Sequence, residues 1–152
     1  MPSNFTATVE RWAKQTDAQL TAIFRMSAED VIEAMQEVGP SKTNPGSTGT
    51  GRMPVATGFL RASLVVQLNA DPPPASRDNP NPEGKFSWNP AATLVINDAK
   101  LGGRITAGYT ANYALAVEMG TSKTPAYGFV KHAANQWQAI VKRNSSNISS
   151  QI

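Results

Sequence analysis

The chain of 152 residues has no cysteine, a single histidine, and no apolar run close to the roughly 20 residues that a membrane-spanning helix needs. Lack of cysteine excludes disulfides, thiolate catalysis and cysteine-based zinc sites. The one histidine, His132, follows Lys131 in an expected helix with no acidic or serine partner nearby in sequence. A surface or interface role is therefore expected for it rather than general-base chemistry. Carboxylates are scattered, without the close ligand spacing that a metal site needs. The N-terminal residues are polar and offer no signal-peptide apolar core, so folding in a cytoplasm and no membrane partner are expected. On the same ground the Asn-x-Ser/Thr triplets at Asn4, Asn144 and Asn147 are taken as accidental. No catalytic constellation, cofactor motif or metal set emerges, and the expectation is a non-enzymatic protein without cofactors. The net charge of +3 is too small to make nucleic acid the main ligand.

Forty per cent hydrophobic content supports a core, and a chain of this length suits one domain that buries roughly 70% of its unfolded surface. Eleven Gly and 11 Pro imply much irregular backbone. Charge is distributed unevenly: residues 1–38 carry three basic and six acidic side chains, and residues 39–152 carry eleven and five. Two differently charged surfaces favour head-to-tail stacking or ring assembly, although a solvated acidic helix explains the count as well.

Residues 1–38 have the pattern of one long amphipathic helix. Ser3 or Asn4 can cap it, and Phe5, Val9, Trp12, Leu20, Ile23, Phe24, Val31, Met35 and Val38 recur at helical spacing. Ser27-Ala28-Glu29-Asp30 resembles a capping sequence, where a kink or restart is allowed. Gly39-Pro40 ends the helix. Such a helix is longer than a small domain can cover, and contact with a neighbouring subunit is the natural remedy. Residues 39–52 form a flexible loop. Gly46 to Gly51 has the outer spacing of a phosphate-binding loop, but Arg52 and Met53 stand where Lys and Ser/Thr are required, so nucleotide binding is not expected.

Three strands are expected at Ser63–Asn69, Thr93–Asn97 and Arg104–Tyr109, the first with Leu64, Val66 and Leu68 inward. Between them, residues 70–92 are too rich in Pro and Asn for a central strand and form a long excursion that ends near Phe86 and Trp88. Asn112–Met119 is a short helix stopped by Gly120. A last helix runs from about Tyr127 to Lys142, and residues 143–152 form a disordered tail. Trp12 and Trp137 are expected in the core and Trp88 as a loop anchor. The resulting fold class is α+β: the long N-terminal helix and the C-terminal helix packed on a mainly antiparallel sheet, with long projecting loops, in one domain over residues 1–142.

Two stretches stand out for turn chemistry, small apolar residues and isolated charges: GRMPVATGFLRASL at 51–64 and ITAGYTANYALAVEMGTSKTPAYGFVKHA at 105–133. Within the first, Pro54, Val55, Thr57, Gly58, Leu60, Arg61 and Ser63 resemble the PV-D-TG-x-LR-x-S signature of head–tail joining or tail-completion proteins of long-tailed bacteriophages, a group that includes the lambda Z-like minor tail proteins. The second is similar to that family's later pattern in Gly108-Tyr109, Tyr113-Ala114, the run from Val117 through Glu118 and Gly120 to Thr121, and a Pro and an aromatic before the last helix. The order of elements matches over about 120 residues. Ala56 departs from the usual acidic residue, and the excursion is unusually Pro-rich.

The resemblance implies a virion structural protein, assembled in the host cytoplasm, that forms a homo-oligomeric ring of six or twelve in the neck. Its partners would be head-closure or portal-side proteins and tail-tube or terminator proteins, with DNA passing through the lumen. Alternatives are a tail-terminator or tail-tube-like ring protein, and a soluble binding module with weak nucleic-acid affinity. Two contacts are expected. Arg61 and Glu118, the isolated charges of the two blocks, pair within a subunit or across a ring seam. The 70–92 excursion projects onto a neighbour, with Phe86 or Trp88 as its anchor.

Overall fold

The computed structural model describes residues 4–39 and 51–149. Ser3 as a cap, the glycine spacing from Gly46 and the end of the tail lie outside the described residues. The chain is α+β. Helix α1 covers Asn4–Met35 without a break, as the unbroken apolar periodicity requires. At 1.5 Å per residue it is about 48 Å long. It packs against α4 (Phe129–Asn135), α5 (Trp137–Ser149) and a 3-10 helix at Pro90–Asp98. Short helix α2 (Phe59–Ala62) directly precedes strand β1 (Leu64–Leu68), and short helix α3 (Ala114–Met119) follows strand β2 (Ile105–Tyr109).

The two strands pair antiparallel in a register that runs from Leu64 opposite Tyr109 to Leu68 opposite Ile105. Leu64 and Val66 are buried while Val65 and Gln67 are half-buried, the alternation that a one-sided strand requires. The core joins Ile32 and Met35 of α1 to Met53, Phe59, Leu60, Ile96, Tyr109 and Phe129.

Four expectations are corrected. Thr93–Asn97 is not a strand. Asn89 caps the 3-10 helix by accepting from the Ala91 N–H at 3.0 Å, and Pro90 opens it with a φ already suited to helix. The β-branched run suggested a strand, but the Asn-Pro start signal ahead of it prevailed. Ser27 does not restart α1. It is fully buried and its hydroxyl accepts from the Asn144 side chain at 3.2 Å. Residues 143–149 are not a tail but the end of α5: Arg143 pairs with Asp30 at 3.0 Å, and Asn144, 2% exposed, donates to the same carboxylate at 2.9 Å. The polar composition that suggested fraying is a polar helix–helix contact. The expected single last helix is two, broken at Gln136.

The excursion also lies differently from the expectation. Its backbone is tied along β2 and the turn that follows. Ala70 O accepts from Thr106 Oγ1, Arg77 N–H donates to Thr110 O, and Asn112 N–H donates to Arg77 O. The Phe86 N–H donates to Thr57 O at 2.7 Å. Proline cannot donate to a ladder, so this strap pairs only at isolated points. Phe86 packs edge-on against Phe59 with centroids 5.2 Å apart, and Trp88 joins the same core. Both anchors therefore serve their own chain: an aromatic side chain buries a large apolar area wherever the nearest unfilled core lies. The other two tryptophans were expected inside, but Trp12 is 66% exposed and Trp137 41%.

Candidate functional site

Block one is built as a turn and a single helical turn. Gly58 has φ 84°, and a Cβ there would collide with the Phe86 carbonyl oxygen, so the position demands glycine. Thr57 Oγ1 accepts from the Phe59 N–H at 3.2 Å, which starts α2. Ser63 ends it: its hydroxyl donates to Leu60 O at 2.7 Å, and its carbonyl accepts from both the N–H and the hydroxyl of Thr110. Block two is closed in the same manner. Gly120 has φ 79° and terminates α3, where a Cβ would press on the Ala126 backbone nitrogen at 2.7 Å.

The two isolated charges do not pair within the chain; each serves a different helix end. Glu118 accepts from the Val130 N–H at 3.0 Å and the Lys131 N–H at 2.9 Å, and so caps α4, whose own N-cap residue Gly128 has no side chain. Arg61 Nε donates to Gln36 O at 3.0 Å just beyond the C-terminus of α1, and its guanidinium lies 5.6 Å from the centre of the Trp88 ring. A carboxylate at a helix start and a cation at a helix end both complement the backbone dipole and satisfy terminal groups. This is why two lone charges in apolar blocks need not seek one another.

Gln36 is the hub of the buried polar contacts. Its amide donates to Arg61 O at 3.0 Å, and its oxygen accepts from the Tyr109 hydroxyl at 2.7 Å. Burial holds the Tyr109 hydroxyl far above its ordinary pKa; the nearby Arg61 opposes this and Glu118 adds to it. The indole N–H of Trp88 is buried and finds no acceptor among the described residues.

Both blocks and the strap converge on one cavity of about 690 Å³. Pro54, Val55 and Leu60 come from block one, and Tyr113, Val117 and Tyr127 from block two, with Asn79 of the strap on the rim. Arg61, Thr57 and Gly58 also face it, whereas Ser63, Glu118, Gly120, Phe86 and Trp88 shape the surrounding framework. Apolar walls with a few polar groups are the usual make-up of a binding concavity. His132, exposed on α4, stands against Gly51 and is not among the residues that line the cavity. Sequence reasoning missed Gln36, Asn79, Asn144 and Tyr127. Gln36 carried a signal, as a polar residue four positions after Ile32 on an apolar face; Asn79 lay in a stretch without period. Compared with protein-family models, curated proteins and solved structures, the chain has no match.

Proposed function

We propose that this chain is a non-enzymatic structural protein of a phage virion that forms a ring in the neck and joins the filled head to the tail. The observation that carries this reading is the convergence of the two family-like blocks on one cavity, with their diagnostic residues used for turns, caps and walls rather than chemistry. An uncovered half of α1, described below, supports assembly with further copies. Portal-side and tail-tube proteins are the partners that the resemblance implies, and a ring of six or twelve surrounds the DNA path. Among the described residues no helix is long and apolar enough to cross a membrane.

The reading is tested by removing the gene from a phage that carries it. Full heads and separate finished tails are expected, joined again when the protein is added back. Tails of irregular length would support the terminator role instead. Normal virions would overturn both.

A further inference from the structure

We propose that the cavity walled by the two blocks binds an extended peptide segment of another protein, one with an acidic side chain two positions from an apolar one. The carboxylate is seated on the Arg61 guanidinium. The inference stands on the cavity alone and does not depend on the ring reading.

Arg61 is the one charged residue in the wall. Its Nε donates to Gln36 O, and its guanidinium lies over the Trp88 ring, 5.6 Å from the centre. Among the described residues neither terminal nitrogen has a hydrogen-bond partner, and no carboxylate forms an ion pair with it. Two neighbouring acids are already used: Glu118 accepts from the α4 N–H groups, and Asp78 accepts from the Asn112 amide. The guanidinium is thus fixed through its Nε and its face, and its outer edge is left for a ligand. That edge matches a carboxylate, and at a half-buried position such a pair counts for more than in open water.

Around Arg61 the wall is apolar, with Pro54, Val55, Leu60 and Val117 beside two tyrosines. A bare anion would leave these surfaces wet, so the carboxylate comes on an apolar body. A nucleic-acid backbone fits poorly. It calls for several cations, whereas Asp78 and Glu83 directly adjoin the rim residues Asn79 and Pro82 in sequence.

The rim favours a peptide over a small molecule. Among the described residues, Val55 and Ala56 make no backbone hydrogen bond, and neither does Ala126 between the wall residues Pro125 and Tyr127. Ala56 and Ala126 are exposed. An extended backbone can bond to such groups, and its alternate side chains then enter the cavity together. A volume of about 690 Å³ holds an acidic side chain and an apolar one.

The test titrates the isotope-labelled full chain with the peptide acetyl-Leu-Ala-Asp-Ala-Leu amide and follows backbone amide shifts by NMR. Shifts are expected at Val55, Ala56, Val117 and Ala126. The counterpart peptide with Asn for Asp should bind about 10-fold more weakly, for loss of one charge-assisted pair. Arg61→Gln should bind both peptides alike. That variant also loses the bond to Gln36, so Ala56→Glu gives a second check at an exposed wall position. It adds a carboxylate to the wall and should likewise erase the preference. Absence of these shifts up to the peptide's solubility limit, or equal binding of the two peptides to the unaltered chain, would overturn the inference. An Asp preference that survives in Ala56→Glu would do the same. So would phenylacetate binding as tightly as the peptide, which would mark a site for small acids.

Discussion

From Thr6 to Leu20, α1 contributes no buried residue, whereas from Ser27 to Gln36 the chain places Ser27, Ala28, Ile32, Met35 and Gln36 all below 9% exposure. Both halves share the same periodicity and the same freedom from Pro and Gly. The C-terminal half is held by α5 through Asp30, Arg143 and Asn144, by α4, and by the Gln36–Arg61–Tyr109 contacts. Helical pattern therefore determines where a helix forms, and neighbours determine what each part of it is worth. A stability measurement on the monomer feels only the second half.

The largest effect should come from Ile32→Ala, which empties a fully packed site and is expected to cost about 2–5 kcal/mol in urea unfolding. Val9→Ala, a like truncation in the exposed half, should stay within about 0.5 kcal/mol. Equal losses from the two would show that the N-terminal half is covered within the chain. Next, Glu118→Ala removes the α4 cap and should cost about 0.5–2 kcal/mol; Arg61 should matter independently of it, so the double variant is expected to be additive. A double-variant loss well below the sum of the two single losses would restore the direct pairing of the two charges.

A third measurement uses pH. Tyr109 is raised by burial, so its stabilising contribution is full below the ordinary tyrosine pKa of about 10 and declines as pH rises above it toward the folded value. Tyr113 is raised in the same direction by partial burial, opposed by the Leu60 backbone. Urea midpoints should be flat from pH 7 to about 9 and fall beyond, and Tyr109→Phe should reduce that slope without abolishing it. A slope unchanged by the substitution would remove Tyr109 from the account. The smallest expected effect is Trp12→Glu on monomer unfolding, within about 0.5 kcal/mol, since the side chain stands 66% exposed. Amide exchange should also separate the halves, faster before Leu20 than after Ser27.

Much of the architecture was legible in the residues. The α1 span, the antiparallel strands near Leu64–Leu68 and Ile105–Tyr109, and the stop at Gly120 each follow from local periodicity and backbone freedom, which neighbouring residues in sequence suffice to set. The two blocks were recognisable as parts that specify shape, and Gly58 and Gly120 carry the turns that their residue type announced. What local pattern could not supply is partnership. Whether Glu118 meets Arg61 or two backbone N–H groups of α4, whether Phe86 and Trp88 leave the domain or fill its core, and whether Ser27 and Asn144 end helices or join them depend on elements that lie 12 to 117 positions away in sequence. Sequence by itself determined the span of α1, the two strands, the stop at Gly120 and the charge asymmetry. Only the tertiary structure decided which helix end each charge serves and which half of α1 is left uncovered, because burial and hydrogen bonding are properties of contacts between segments and not of the segments themselves.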